Sequence, residues 1–124
     1  MQSRMSSILE GLSVSHSKAL LESGSPVEIP SAEWNSLSLS ERVDRCYDFL
    51  DEIKRGSIKL SRDQRKVFVN RVDRLCLGLH DNYDGKDADK LNQIINIGEK
   101  EKVFLKGDVE RLVKNFGWSR KNHK

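Results

Sequence analysis

The stretch SLSERVDRCYDFLDEIKRGSIKLSRDQRKVFVNRVDRLCLGL, residues 38–79, contains two amphipathic patterns separated by a short connector. Its apolar residues recur every three or four positions, the spacing that places them on one face of an α-helix. The pattern therefore predicts one helix over about 39–55 and a second over about 62–79. The apolar positions are Val43, Cys46, Tyr47, Leu50 and Ile53 in the first helix, and Val67, Phe68, Val72, Leu75, Cys76 and Leu79 in the second. A connector this short favours an antiparallel hairpin whose apolar faces share one core.

Both predicted helices begin at a capping signal. Ser38 with Glu41, and Ser61 with Gln64, have the S-x-x-E/Q spacing in which each side chain accepts a hydrogen bond from the other residue's backbone amide. Gly56 suits the left-handed backbone conformation that ends many helices. These signals set the expected ends of the two helices.

Downstream of the hairpin, the sequence predicts shorter helices. Asp84 and Gly85 form a polar turn, and a third helix is expected from Asp87 to a stop near Gly98. A short helix is expected around 99–106.

The C-terminal part predicts one more helix and a tail. Asp108 is the expected N-cap of this last helix, and Gly117 is its expected end. Trp118 is then expected to fold back onto the core. Residues 119–124 are expected to form a frayed basic tail.

The N-terminal residues 1–37 show only weak helical periodicity and are rich in serine. The segment 23–36 holds both prolines and predicts a linker or a docked extended arm, with Trp34 holding it to the core. We therefore expect an all-α fold, a small bundle of about four to five helices over 38–118 with a flexible N-terminal arm.

Length and composition limit the class of protein. A chain of 124 residues has room for one domain, and 33% charged residues with no long apolar run predict no membrane contact. The N-terminus lacks the apolar segment of a secretory signal. Cys46 and Cys76 lie among apolar helix positions, so both are expected to be buried and reduced, in a cytoplasmic, reducing location.

Charge is segregated along the chain. Residues 1–53 contain four basic and nine acidic residues, whereas 54–74 contain eight basic and two acidic residues. The basic residues are Lys54, Arg55, Lys59, Arg62, Arg65, Lys66, Arg71 and Arg74. Such a cluster along one helix face is typical of proteins that neutralise phosphates. It also suits docking to an acidic protein surface, just as an acidic helix face suits a basic one.

The first strong helix has the opposite charge. Its acidic residues fall in one sector opposite the apolar stripe and predict an acidic outer face. They are Glu41, Asp44, Asp48, Asp51 and Glu52. An alternative to partner binding is therefore that the two neighbouring helices offset each other's charge through solvated pairs, each contributing about 0–1 kcal/mol.

No recognisable catalytic or metal-binding motif occurs. The three histidines are scattered, and an EF-hand register at HDNYDGKDADKL fails because it places Leu91 where a glutamate belongs. A helix-turn-helix over 103–117, with Gly107 in the turn, is a weak alternative. The aromatic residues are expected in the core and not as base-stacking platforms; they are Tyr47, Phe68, Phe104 and Phe116.

The leading hypothesis is a non-enzymatic regulatory or accessory protein that uses the eight basic residues to bind an acidic partner, best matched by RNA or DNA phosphates. The alternative is a protein-interaction module, acting as an adaptor, inhibitor or homodimer. It would use the acidic helix together with apolar patches at Trp34 and Trp118. No cofactor or metal is expected under either hypothesis.

Overall fold

The fold is all-α. The computed structural model describes residues 25–122, and this range contains no strand. Its five helices are α1 (Ser31–Ser36), α2 (Leu39–Lys54), α3 (Arg62–Gly78), α4 (Gly85–Lys100) and α5 (Lys106–Asn122). The predicted helical bundle is confirmed. Most of the N-terminal segment with weak helical periodicity, residues 1–24, and the last two residues of the chain lie outside the described residues.

Both capping boxes form as the sequence predicts. Ser38 Oγ accepts a hydrogen bond from the Glu41 amide at 3.1 Å, and the Glu41 carboxylate accepts one from the Ser38 amide at 3.0 Å. Ser61 and Gln64 repeat this pair of bonds at 3.1 and 3.0 Å. The backbone hydrogen bond from Ser38 holds the pKa of Glu41 below its usual value. The starts of α2 and α3 are therefore fixed by local chemistry alone.

The end of α2 also follows the prediction. Gly56 has a φ of 82°, its amide donates to Ile53 O at 2.9 Å, and the Ser57 amide donates to Glu52 O at 3.0 Å. These two bonds form a Schellman motif, in which a left-handed residue lets the chain turn back over the last carbonyls.

The same motif ends α4, but without a glycine. Lys102 has a φ of 61° and donates to Glu99 O at 3.1 Å, while Val103 donates to Gly98 O at 2.8 Å. The helix therefore runs through Gly98 to Lys100, and residues 101–105 form the turn. The helix thus ends two residues beyond the predicted stop near Gly98, whereas the predicted short helix over 99–106 is wrong.

Gly98 serves packing and not helix termination. A Cβ atom at this position would lie 2.2 Å from Cε2 of Phe104, so only glycine lets the buried ring approach the backbone of α4.

The last helix differs from the prediction at both ends. Asp108 is its third residue and not its N-cap, since the carboxylate accepts a hydrogen bond from the Leu105 amide at 3.0 Å. Gly107 lies inside the helix, which removes the helix-turn-helix alternative. The helix continues past Gly117 to Asn122, so residues 119–122 are not a frayed tail. Ser119 is buried and donates to the carbonyl oxygens of α3 residues Cys76 and Leu77.

The helices pack as two parallel pairs. α2 packs mainly on α4, where Ser40 bonds Asp87 and Asp44 bonds Lys90. α3 packs mainly on α5, where Arg65 pairs with Asp108 and Ser119 bonds the end of α3. In both pairs the residue numbers increase in the same direction. Leu39 at the start of α2 lies beside Gly78 at the end of α3, so the predicted hairpin α2–α3 is antiparallel.

The core contains the predicted apolar stripes except for Val67, which lines a surface depression between α1 and α3. Phe68 is fully buried and packs on two other rings, with its centroid 5.3 Å from that of Phe49 and 5.8 Å from that of Phe104. Phe104 and Phe116 are buried as expected, and Tyr47 is partly buried. The fully buried residues include Val43, Cys46, Phe49, Leu50, Phe68, Val72, Leu75, Cys76, Leu79, Leu91, Ile94 and Leu112.

Residues 25–37 dock on this core. Trp34 is only 2% exposed, which confirms that it holds the segment in place. The short helix α1 forms within what the sequence predicted as a linker or extended arm. Cys46 and Cys76 are free and buried, as predicted, and burial raises the pKa of the Cys76 thiol to about 12.

Candidate nucleic-acid interface

The outer side of α3 carries a row of cations. Arg62, Lys66 and Arg74 are exposed, and the exposed Asn70 occupies the intervening position in this series of four-residue steps. Residues four apart lie one turn further along the same helix face. Within residues 25–122, the side chains of Arg62, Lys66 and Arg74 have no hydrogen-bond or ion-pair partner. We call these three cations the basic row.

A shallow depression borders the basic row on the α5 side. Its lining residues are Arg62, Arg65, Lys66, Val69, Asn70, Leu105, Asp108 and Arg111. Four of the side chains are basic and one is acidic, so the depression is electropositive. Arg65 lies 3.7 Å from Asp108, which partly neutralises it, and Arg111 lies 3.8 Å from Asp73.

A second depression lies on the other side of the basic row, between α1 and α3. It is lined by Ser31, Trp34, Asn35, Val67, Asn70, Arg71 and Arg74. Asn70 borders both depressions, so together they form one continuous surface across the outer side of α3.

Arg71, one of the eight predicted site residues, is used by the fold. Its guanidinium donates to Pro26 O at 3.2 Å, to Ile29 O at 2.8 Å and to Ser31 Oγ at 3.4 Å. It also lies over the Trp34 ring, 5.2 Å from the ring centroid. Burial lowers the pKa of Arg71 from its ordinary value. Arg71 therefore ties the N-terminal segment to α3 and is not an open surface cation.

The remaining predicted cations lie at the end of α2 and in the connector to α3. Lys54, Arg55 and Lys59 are all exposed. Arg55 forms an ion pair with Asp51 at 2.9 Å, one turn earlier in the same helix. Because the connector is short, these cations lie at the same end of the bundle as Arg62.

The predicted acidic face of α2 is largely used within the fold. Glu52 is buried, at 7% exposure, which corrects its expected outer position. Asp44 binds Lys90 at 2.6 Å, and this hydrogen bond raises the pKa of Lys90. Glu41 serves the capping box and Asp51 pairs with Arg55, whereas Asp48 is exposed.

The two tryptophans have opposite environments. Trp34 belongs to the core, so it cannot provide the predicted apolar surface patch. Trp118 is 46% exposed and does not fold back onto the core. Its ring stacks on His80 at the end of α3, with centroids 4.9 Å apart and planes at 30°. The reason is that α5 continues beyond Gly117 and carries the indole along its outer side.

The site prediction did not include three residues that line the depression beside the basic row: Asn70, Leu105 and Arg111. Arg111 lies on α5, and only the parallel packing of α5 against α3 brings it beside Lys66 in one depression. Helical periodicity says which side of a helix is polar, but it does not say which helix is its neighbour.

No family, curated protein or solved structure in the comparisons matches the chain. None of the helices between residues 25 and 122 is long and apolar enough to cross a membrane. Over the same residues, no three side chains from His, Cys, Asp and Glu are grouped so that they could hold a metal ion.

Proposed function

We propose that this protein is a non-enzymatic accessory protein that binds nucleic-acid phosphates through the face formed by α3 and α5. The observation that carries the proposal is the basic row, whose three cations are exposed and unpaired among the described residues. Arg111, Lys54 and Lys59 extend the positive surface on either side.

The dimensions of the row fit a phosphate backbone. Arg62 and Arg74 are separated by roughly 18 Å along the helix axis, at about 1.5 Å per residue. Lysine and arginine side chains along such a length can each approach a different phosphate, and each contact releases condensed counterions. The result is affinity that falls steeply as salt rises.

The observed ion pairs do not support the alternative that the hairpin helices simply neutralise each other. Asp44 of α2 pairs with α4, and Arg65 of α3 pairs with α5. The cations of the basic row are exposed on the outer side of α3 and have no ion-pair partner within residues 25–122.

The protein-interaction alternative has less support. Two of its residues, Trp34 and Glu52, are buried, and Asp44 is paired within the fold. The two buried free thiols support the companion proposal of a reducing, cytoplasmic location.

The proposal is tested with the double reversal Arg62→Glu and Lys66→Glu. Binding of a fluorescently labelled oligonucleotide is measured by anisotropy over a series of salt concentrations. We expect the wild-type protein to bind at low salt, and the variant to lose at least about tenfold in affinity and to show a salt slope smaller by about one per cation removed.

The matched control reverses two exposed lysines of α4, Lys86→Glu and Lys100→Glu, which changes net charge equally but away from the basic row. The control should retain most of the binding, and circular dichroism should show both variants folded. Absence of binding by the wild type at low salt, or equal losses in the two variants, contradicts the proposal.

A further inference from the structure

The surface around Trp118 combines an exposed aromatic ring with cations. Its lining residues are Val113, Lys114, Gly117, Trp118, Arg120 and Lys121. Lys114 and Lys121 lie four residues before and three residues after Trp118, which places them on the same helix face as the indole. None of the six lining residues is acidic, so the patch is complementary to an anionic ligand with an apolar, flat group.

One face of the indole is supported from within the fold. His80 stacks against it, and His80 Nδ1 in turn lies 3.2 Å from the Asp81 carboxylate. The ring is therefore held in place from one side and still half-exposed. A fixed aromatic ring can stack a nucleobase with little loss of side-chain freedom, because it is already ordered.

The patch continues the proposed interface along α5. Arg111 lines the electropositive depression, and Trp118 follows it by roughly 10 Å at about 1.5 Å per residue. This distance corresponds to about three stacked nucleotides at roughly 3.4 Å each. On α3, Arg74 precedes the last helical residue, Gly78, by roughly 6 Å in the same direction, and His80 follows two residues later. One strand can therefore contact the basic row and reach the indole.

We propose that Trp118 is a base-stacking platform and that the ligand of the α3–α5 face is a single-stranded nucleic acid. This inference rests on the proposed function and narrows it. Bases in a duplex are stacked on each other and cannot reach an indole on a helix surface, whereas unpaired bases stack readily on aromatic side chains. Lys114 and Lys121 would contact the phosphates that flank the stacked base.

The experiment compares a single-stranded oligothymidylate with a DNA duplex of the same length. Trp118→Leu removes the ring, and Trp118→Phe retains a smaller one. We expect Trp118→Leu to weaken single-strand binding by about 5- to 100-fold, the range that stacking of one base implies. Trp118→Phe should recover much of the loss. Duplex binding should be the same in all three proteins.

Tryptophan fluorescence supplies a second readout. Trp34 is buried and serves as an internal reference, so single-strand binding should quench the wild-type emission, and this quenching should be absent in Trp118→Phe. These readouts would not respond to a purely structural role of Trp118.

The possible failures are distinguishable. If Arg62→Glu with Lys66→Glu abolishes binding but Trp118→Leu leaves the affinities for the single strand and for the duplex unchanged, the proposed function stands and the stacking platform is wrong. If neither oligonucleotide binds the wild type at low salt, both are wrong. If the protein is a dimer in solution that Trp118→Leu converts to a monomer, and oligonucleotides leave the emission unchanged, the patch is a self-association surface and the inference is overturned.

Discussion

Replacing Gly98 with alanine should destabilise the fold, although alanine normally favours a helix. The added Cβ would lie 2.2 Å from Cε2 and 2.4 Å from Cδ2 of Phe104, whereas carbon atoms in contact prefer about 3.5–4.0 Å. The ring therefore has to move by more than about 1 Å. It is 3% exposed and stacked on Phe68, so it has little room to do so.

The expected magnitude follows from two opposing effects. Overpacking costs about 1–3 kcal/mol, and complete displacement of the ring approaches the cost of Phe→Ala, about 3–5 kcal/mol. Removing a glycine from a helix interior returns about 0.5–1 kcal/mol. Gly98→Ala should therefore lower the free energy of unfolding by about 1–4 kcal/mol, measured by urea denaturation followed by circular dichroism.

Two further variants isolate the cause. Gly117→Ala should instead stabilise the protein by about 0.5–1 kcal/mol. Gly117 lies in the middle turns of α5 on its exposed side, and no atom lies within 4 Å of the new Cβ. In a Phe104→Ala background, Gly98→Ala should become neutral or stabilising, because the ring that it meets is gone. A clash with Phe104 is excluded if Gly98→Ala is as stable as the wild type, or if the substitution costs the same free energy of unfolding with and without the ring.

Three further predictions concern helix-end conformation, thiol reactivity and the dependence of stability on pH. Gly56→Ala should lower the free energy of unfolding by about 1–2 kcal/mol, because φ is 82° there; no atom crowds the new Cβ, so the cost is conformational. Lys102→Gly should instead stabilise the fold, because glycine adopts the left-handed conformation without strain. Opposite shifts in the urea midpoint test this pair, and shifts of the same sign contradict it. Neither Cys46 nor Cys76 should react with a thiol reagent at neutral pH until urea unfolds the chain, since burial raises both pKa values; rapid modification of the native protein would count against this. Because the Cys76 thiol stays protonated in the fold up to about pH 12, stability should decline as pH rises above the unfolded thiol pKa of about 8.5, where ionisation favours the unfolded chain.

The sequence predicts helix ends correctly where the hydrogen bonds that form them join residues a few positions apart. The capping boxes that begin α2 and α3 involve residues three positions apart, so their spacing alone predicts them. The same is true of Gly56, whose left-handed conformation ends α2.

Glycine is a poor indicator of helix ends where it is needed for close packing, or lies on an open helix face, and not for a left-handed backbone. Gly98 and Gly117 both resemble helix ends, yet one accommodates the ring of Phe104 and the other lies on an open helix face. Lys102 takes the left-handed conformation that the sequence pattern assigns to glycine, and the turn that follows places the Phe104 ring beside Gly98. These outcomes depend on tertiary contacts, which periodicity does not encode.

The sequence predicts that the candidate interface lies on α3, but it does not predict which residues of α3 and α5 form it. At 100° per residue, Arg71 lies on the opposite side of α3 from Arg62, so it faces the docked N-terminal segment while the basic row faces outward. The parallel packing of α5 then adds Arg111. Arg71→Glu would therefore detach the segment that Trp34 anchors, and any loss of binding in that variant would reflect the fold and not the interface. Arg62 and Lys66 are exposed and have no partner within residues 25–122, so their substitution tests binding without removing a contact of the fold.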